Sequence, residues 1–196
     1  MLTRRDKDIL IYLENHKAIT VKQAQTIFFE GNYEGCRRRL NELLDMKVLK
    51  SYISKLTNQK IFYIDKKVSD HDLLVLEFNS RLIKEGCKIR KFRKSDRYLN
   101  DLIRPDAFIE FEYNNNLFFV LLEVDHTHYT GIDKLKMYEK LYREEELQKK
   151  CYGTFPILVI MRATNNDIRY SSKLFDVIYL DFTLDKLNNL LLNPYF

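Results

Sequence analysis

Two carboxylates stand at the end of an apolar run in the middle of this chain, in the segment "LFFVLLEVDHTHY". Residues 117–122 are all apolar, which predicts a buried β-strand, and Glu123 and Asp125 follow. Because side chains alternate along a strand with a period of two, these two carboxylates project from the same face. One interpretation is a metal or phosphate site. The other is structural, with the carboxylates accepting hydrogen bonds from amides of the next loop.

Two histidines, His126 and His128, lie directly beyond these carboxylates. Imidazole and carboxylate are ordinary zinc ligands. If the strand continues, however, both histidines fall on the opposite face from Glu123 and Asp125, and no third histidine is close. The pattern therefore favours hydrogen bonding within the loop over a zinc site.

The elements that must position these groups can be predicted from the spacing of apolar residues and from turn residues. Asparagines at 114–116 predict a tight hairpin turn between two strands. Among the elements after residue 67, Asp70 and Thr183 are the predicted N-caps of the first and last helices. The expected elements are a helix at 70–85, strands at 87–93, 104–113 and 117–125, a long helix at 132–150, a buried strand at 155–163, a helix at 166–175, a strand at 176–182 and a helix at 183–192.

Positive charge is concentrated in the N-terminal third. The net charge is +5, and residues 1–67 carry 14 Lys and Arg against 8 Asp and Glu. Such an excess attracts phosphate backbones through counterion release. A second basic run, "KIRKFRKSDR" at 88–97, is either a track for a DNA backbone or an edge strand protected by charge.

Residues 3–66 resemble the winged helix-turn-helix superfamily. Apolar spacing predicts helices near 4–15, 20–29 and 33–46, the first two capped by Thr3 and Thr20, and strands at 48–54 and 60–65 form the hairpin. The resemblance implies that the third helix enters the major groove of double-stranded DNA while the hairpin follows the backbone. A solvated basic surface or a protein-binding role is the alternative. The expected DNA-binding residues are Lys22, Gln23, Arg37, Arg38, Arg39, Lys55, Asn58 and Lys60, although Arg39 has Glu42 or Glu34 as alternative partners.

The element order αβββαβ in residues 70–196 resembles the PD-(D/E)XK, restriction-endonuclease-like fold, carried here by Pro105-Asp106 and Glu123-Val124-Asp125. The resemblance implies that Asp106 and Glu123 meet at the splayed ends of two strands and hold Mg²⁺. The fold class is thus a two-domain α+β and α/β chain, a winged helix-turn-helix at 1–67 followed by a nuclease-like domain at 70–196.

Asp125 occupies the position at which active members of this fold carry a lysine. Exchanging a cation for an anion beside a phosphodiester reverses the sign of that interaction. A lysine from the following helix, Lys134 or Lys136, is the candidate replacement. The catalytic candidates are therefore Asp106, Glu123, Asp125 and Lys134. Three interpretations of these residues remain: a site that binds metal and cleaves DNA, a site that binds metal without cleavage, and a structural remnant. The replacement of the lysine by Asp125 argues against catalysis.

The combination of "PDA" at 105–107, "EVD" at 123–125, Thr127 and a Lys134…Tyr138 pair is similar to the replication-relaxation family. That resemblance implies a plasmid or another mobile element, with a role in replication initiation, in DNA relaxation and transfer, or in their regulation. It also implies replication or relaxosome proteins as partners. A Mg²⁺-dependent endonuclease and a transcriptional regulator are the alternative functions. The apolar Tyr195 and Phe196 leave a homodimer contact open.

No apolar run approaches the length needed to cross a bilayer, and the N-terminus shows no apolar signal segment. The three cysteines are odd in number and far apart, which argues against disulfides and cysteine-based zinc sites. The sequence therefore predicts a cytoplasmic protein with no membrane association.

Overall fold

The computed structural model describes residues 1–163 and 169–192. The chain divides into two compact units, Met1–Glu85 and Gly86–Phe196, each of which is described by itself. The fold class is mixed α and β, with a separate sheet in each unit. The predicted boundary after residue 67 divides the first compact unit before its last helix.

Three helices form the N-terminal part of the first unit: α1 (Arg4–His16), α2 (Val21–Phe28) and α3 (Tyr33–Asp45). Thr3 and Thr20 cap α1 and α2 in reciprocal capping boxes with Asp6 and Gln23, so the predicted starts are confirmed. The Asn32 side chain caps α3 by accepting from the Gly35 amide at 2.9 Å. Side-chain oxygens thus satisfy amides that have no partner within the helix.

A three-stranded antiparallel sheet completes this part of the unit. Strand β1 (Ala18–Thr20) was not predicted, because three residues are too few to display a period. Strands β2 (Lys50–Ile53) and β3 (Lys60–Tyr63) form the predicted hairpin, and the strand order is β1-β3-β2. Buried Ile9, Leu13, Leu40, Leu43 and Phe62 belong to the core that joins the helices to the sheet.

Helix α4 (Asp70–Lys84) is the last helix of the first unit. Its N-cap is Ser69, whose hydroxyl accepts from the Asp72 amide at 3.0 Å, so the predicted cap at Asp70 is wrong. Asp70 is instead the first helical residue, and its carboxylate accepts a 3.0 Å hydrogen bond from the Ser54 hydroxyl. Gln23 in α2 donates to Glu77 in α4 at 3.0 Å, which ties α4 to the helices before it.

A five-stranded sheet in the order β4-β5-β6-β7-β8 forms the centre of the second unit. Strands β4, β5 and β6 are antiparallel, and β7 and β8 continue parallel to β6. Asn114 and Asn115 adopt positive φ of 48° and 63° in the β5–β6 turn, as the asparagine-rich segment predicted. The strands are Lys88–Lys94, Ala107–Tyr113, Asn116–Asp125, Ile157–Arg162 and Val177–Leu180.

The predicted long helix at 132–150 is two helices, α5 (Ile132–Arg143) and α6 (Glu146–Lys150). The break is at Glu145, whose φ of 54° is left-handed and cannot continue a right-handed helix. Helix α5 packs on the sheet face that carries Phe119 and Leu121, through Leu135 and Tyr138. This packing brings α5 beside the end of β6.

The C-terminal predictions were less accurate. Residues 169–175 are not helical, and the rest of the predicted helix, residues 166–168, lies outside the described residues. The last helix, α7, covers only Asn188–Leu191, and Thr183 does not cap it. The Thr183 hydroxyl instead donates to Asp181 at 2.7 Å. Tyr195 and Phe196, the predicted dimer contact, also lie outside the described residues. In the described part of the chain, no helix has the length and apolarity that a bilayer crossing requires.

Candidate functional site

Helix α3 presents a polar and basic face to solvent, because its apolar face is used by the core. Cys36, Leu40 and Leu43 are fully buried. Arg37 and Arg38 lie away from that stripe, with side-chain exposures of 56% and 80%. Their ion pairs are within α3, to Glu34 at 3.1 Å and to Glu42 at 3.8 Å. Exposed pairs of this kind contribute little to stability, so both arginines can exchange their partners for phosphate oxygens.

A cleft of about 380 Å³ joins α3 to the start of α2 and to the β2–β3 hairpin. It brings together four of the predicted DNA-binding residues, namely Lys22, Arg37, Asn58 and Lys60. Arg38 lies on the adjoining surface of α3, and Lys55 is exposed in the hairpin turn outside the cleft. The complete lining is Val21, Lys22, Tyr33, Arg37, Asn41, Asn58, Gln59, Lys60 and Phe62.

Two of the predicted DNA-binding residues serve the interior of the first unit instead. Gln23 is 1% exposed and is occupied by its capping box with Thr20 and by Glu77, so it cannot reach a ligand. Arg39 pairs with the fully buried Asp6 at 2.6 Å and with Glu42 at 2.5 Å. The alternative partner Glu42 was thus correctly predicted, whereas Asp6, which is 33 residues distant, was not. Neither Gln23 nor Arg39 belongs to the candidate interface.

The second candidate site is an acid cluster where β6 ends. Ala107 pairs with Leu122, so Asp106 lies opposite Glu123, and its carboxylate accepts from the Val124 amide at 2.7 Å. Residues opposite each other in an antiparallel pair place their side chains on the same face. Lys134 of α5 donates to the Glu123 carboxylate at 2.6 Å, and the Tyr138 hydroxyl donates to its other oxygen. The structure therefore brings Asp106, Glu123 and Lys134 together, whereas the alternative Lys136 pairs loosely with Asp133 at 3.8 Å.

The Glu123 carboxyl is 2% exposed, and its protonation is perturbed. Burial raises its pKa to about 7, and the nearby Asp106 acts in the same direction. The Lys134 ammonium and the Tyr138 hydroxyl partly oppose this increase because they stabilise the anion. With a pKa of about 7, the buried Glu123 carboxyl group is thus close to the midpoint of its titration at neutral pH.

Asp125 lies on the Glu123 face, as predicted, but it has its own partners. One oxygen accepts from the Thr130 amide at 2.8 Å and from the Thr130 hydroxyl. The other is 2.7 Å from the guanidinium of Arg162, the residue opposite Asp125 on β7. The ring of Tyr179 lies 4.7 Å from the same guanidinium. Sequence reasoning missed Arg162, because only the β6–β7 register shows that this residue neutralises Asp125.

The arrangement does not fit a resident metal ion. Glu123 is bonded to Lys134 and Tyr138, and Asp125 is paired with Arg162. Across residues 1–163 and 169–192, no three His, Cys, Asp or Glu residues converge in a way that would hold one. His126 lies against the Phe182 ring, with 6.3 Å between centroids, and His128 is exposed. Asp106 and Glu123, the two acids predicted to hold Mg²⁺, are thus close together, but the positive charge beside them is the Lys134 ammonium.

Strand β4 resolves the two interpretations of the basic run in favour of a protected edge. Lys91 pairs with the buried Glu110 at 2.7 Å, Arg93 with Asp96 at 2.9 Å, and Arg90 with Glu112. Alternating ion pairs of this kind prevent a sheet edge from pairing with other chains. The partners of the run thus favour a role in protecting the edge.

Comparisons with protein-family models, with curated proteins and with solved structures gave no match to this chain.

Proposed function

We propose that the protein binds double-stranded DNA through its first unit. The observation that carries the proposal is the cleft in which Lys22, Arg37, Asn58 and Lys60 converge from a helix start, a helix face and a hairpin. Three helices with an antiparallel hairpin support assignment of this unit to the winged helix-turn-helix class. In that class the third helix enters the major groove and the hairpin contacts the backbone.

The electrostatics of the cleft agree with this role. Arg37 and Arg38 project from consecutive positions of α3, and Lys22 and Lys60 approach from elements on either side. Each neutralised phosphate releases condensed counterions, which supplies binding free energy and makes affinity dependent on salt.

The test is duplex binding by the full chain, measured by fluorescence anisotropy at several salt concentrations. We expect the double variant Arg37→Ala/Arg38→Ala to lose about tenfold or more in affinity and to show a shallower salt dependence. Lys66→Ala/Lys67→Ala removes the same charge beyond the far end of β3 and is the matched control. Equal affinities for the wild type and the Arg37/Arg38 variant would refute the proposal.

For the second unit we infer a nuclease-like domain that no longer cuts. Its acids are each engaged by a donor or a cation from the same unit: Asp106 by the Val124 amide, Glu123 by Lys134, and Asp125 by Arg162. Such a domain would dimerise, contact DNA or present a surface to a partner.

An endonuclease is the second candidate function, favoured by the position of Asp106 opposite Glu123 with Lys134 beside them. This arrangement puts a lysine beside the acid pair, where the sequence has lost the motif lysine at Asp125. Cleavage would require Mg²⁺ to displace the Lys134 ammonium from the Glu123 carboxylate. Incubation of supercoiled plasmid with the protein and Mg²⁺ separates the candidates. Nicking that is lost in both Asp106→Ala and Glu123→Ala would establish the enzyme, and intact plasmid across several DNA forms supports the DNA-binding protein.

The biological process that we propose is replication initiation, or DNA relaxation and transfer, on a plasmid or another mobile element. The support is the combination of "PDA", "EVD" and the Lys134…Tyr138 pair in the sequence. In the structure, Lys134 and Tyr138 both donate hydrogen bonds to Glu123 of "EVD". Footprinting on whole plasmid DNA tests this role. Protection confined to promoters would favour the transcriptional regulator, and protection at an origin would favour replication or transfer.

A further inference from the structure

The cleft in the first unit contains one polar residue of α3 whose hydrogen-bonding capacity is restricted by a neighbour. Asn41 lies one helical turn beyond Arg37 and lines the same cleft. Its side-chain oxygen accepts a 2.8 Å hydrogen bond from the Lys60 ammonium of β3. The Lys60 ammonium is also 5.3 Å from the centre of the buried Phe62 ring, so two contacts hold it in place.

This hydrogen bond determines which way the Asn41 amide faces. An ammonium group can only donate, so the atom that faces Lys60 must be the amide oxygen. The amide NH₂ is therefore the end left for a ligand. Arg37 likewise has donors and no acceptor, and two of its N–H groups are directed at Glu34. The α3 side of the cleft thus offers hydrogen-bond donors, while the amides of Asn58 and Gln59 line it from the hairpin turn.

Resting on the proposed DNA binding, we propose that Asn41 is a specificity-determining residue that selects guanine, because Lys60 converts its amide into a donor. In the major groove guanine presents two acceptors, N7 and O6, whereas adenine presents the N7 acceptor and an N6 donor. An asparagine normally reads adenine with its oxygen and its NH₂ together. With its oxygen facing Lys60, Asn41 is left with its NH₂ group for the base, and this group can donate to both guanine acceptors but cannot accept from adenine N6.

The experiment is selection of a binding site by the full chain from random duplex DNA, followed by affinity measurements with each base at each position. We expect one position at which wild type prefers guanine over adenine by about tenfold. Asn41→Ala should abolish that preference while leaving the other positions unchanged. Alanine is a strong helix former, so α3 should be preserved.

Lys60→Ala is the decisive variant, because it frees the Asn41 oxygen. We expect the preference at the same position to change from guanine towards adenine, in addition to a general loss of affinity. Lys55→Ala removes an equal charge from the same hairpin without a bond to Asn41, so it should lower affinity with the base preference retained. If Lys60→Ala loses affinity but keeps the preference for guanine, Lys60 acts only through its charge and the proposal is overturned.

The outcomes separate this inference from the proposed function. If duplex DNA binds but the base preferences of Asn41→Ala and Lys60→Ala equal those of wild type, the role of Asn41 is refuted and DNA binding stands. If wild type binds no duplex, both proposals fail together. A preference for adenine in the wild type would likewise overturn the donor-only assignment.

Discussion

Two buried carboxylates, Asp6 and Glu123, show how the same chemical group responds to different surroundings. Asp6 accepts from the Thr3 amide and hydroxyl and from the Arg39 guanidinium, and its pKa falls to about 2, chiefly through the Arg39 hydrogen bond. Glu123 also has a cation and a hydroxyl as partners, but burial dominates and its pKa rises to about 7. The first group thus stabilises the fold as an anion, whereas the second is more stable when protonated.

Asp6→Asn should therefore destabilise the first unit at neutral pH. The folded-state pKa is below the ordinary value of 3.8, so the stabilisation is present above that value and is lost as pH falls towards 2. A pKa difference of this size corresponds to about 2 kcal/mol of free energy of unfolding at pH 7. Chemical denaturation at pH 7 and pH 3 measures it. Equal losses at the two pH values would contradict the assignment.

Glu123→Gln should have the opposite pH dependence. The folded-state pKa lies above the ordinary value of 4.5, so the native state binds the proton more tightly and wild-type stability falls as pH rises from about 4.5 to about 7. The amide removes this titration, so the variant should lose less stability than wild type between pH 5 and pH 8, by about 3 kcal/mol. Denaturation curves at the two pH values provide the comparison. Parallel pH profiles for the two proteins would show that Glu123 does not titrate in this range.

Most helices and strands followed local signals in the sequence. The capping boxes at Thr3 and Thr20 fixed two helix starts, and apolar runs located β6 and β7. Two other features could not be predicted from the local pattern. The backbone of Glu145 has a left-handed conformation, which divides the segment 132–150 into two helices although its composition favours a helix throughout. Strand β1 forms through its pairing with β3.

The candidate sites show the same limit. The resemblance to the nuclease fold implied that Asp106 and Glu123 meet, with Lys134 or Lys136 as the nearby lysine, and the structure brings Asp106, Glu123 and Lys134 together. The sequence prediction assigned Gln23 to DNA, since a residue that caps a helix start and one that faces a ligand have the same local pattern. Arg162 was not predicted, because its pairing with Asp125 depends on the register between two strands that are more than 30 residues apart in the sequence.

We expect the charged residues of β4 to stabilise the fold and not to contact DNA. Lys91→Ala leaves the buried Glu110 carboxylate without its ion pair, and we expect a loss of about 2 kcal/mol in the free energy of unfolding. Lys88→Ala on the same strand is the control, because Lys88 is 79% exposed and 3.7 Å from its partner. Its effect should be within about 0.5 kcal/mol. Duplex affinity should not change in either variant, and a loss in both would restore β4 as a DNA contact.

For the whole molecule, the uneven distribution of charge predicts how the proposed DNA binding responds to salt. Residues 1–67 hold a surplus of positive charge, whereas the remaining 129 residues are almost balanced, with 19 Lys and Arg against 20 Asp and Glu. If the first unit alone contacts DNA, the relevant cations are those of the cleft and its surroundings: Lys22, Arg37, Arg38, Lys55 and Lys60.

Five such contacts predict that the logarithm of affinity falls with the logarithm of salt concentration with a slope of about −4.5 for duplex DNA. Each single alanine variant of these residues should make that slope shallower by about one, and Lys22→Ala is the informative case because it lies on α2 rather than on α3. Arg90→Ala should leave the slope unchanged if the first unit alone contacts DNA, because Arg90 belongs to the second unit. A slope that responds to Arg90 would mean that DNA also contacts the second unit. A slope near −9 would require cations beyond the five named, because about twice as many phosphates would be neutralised.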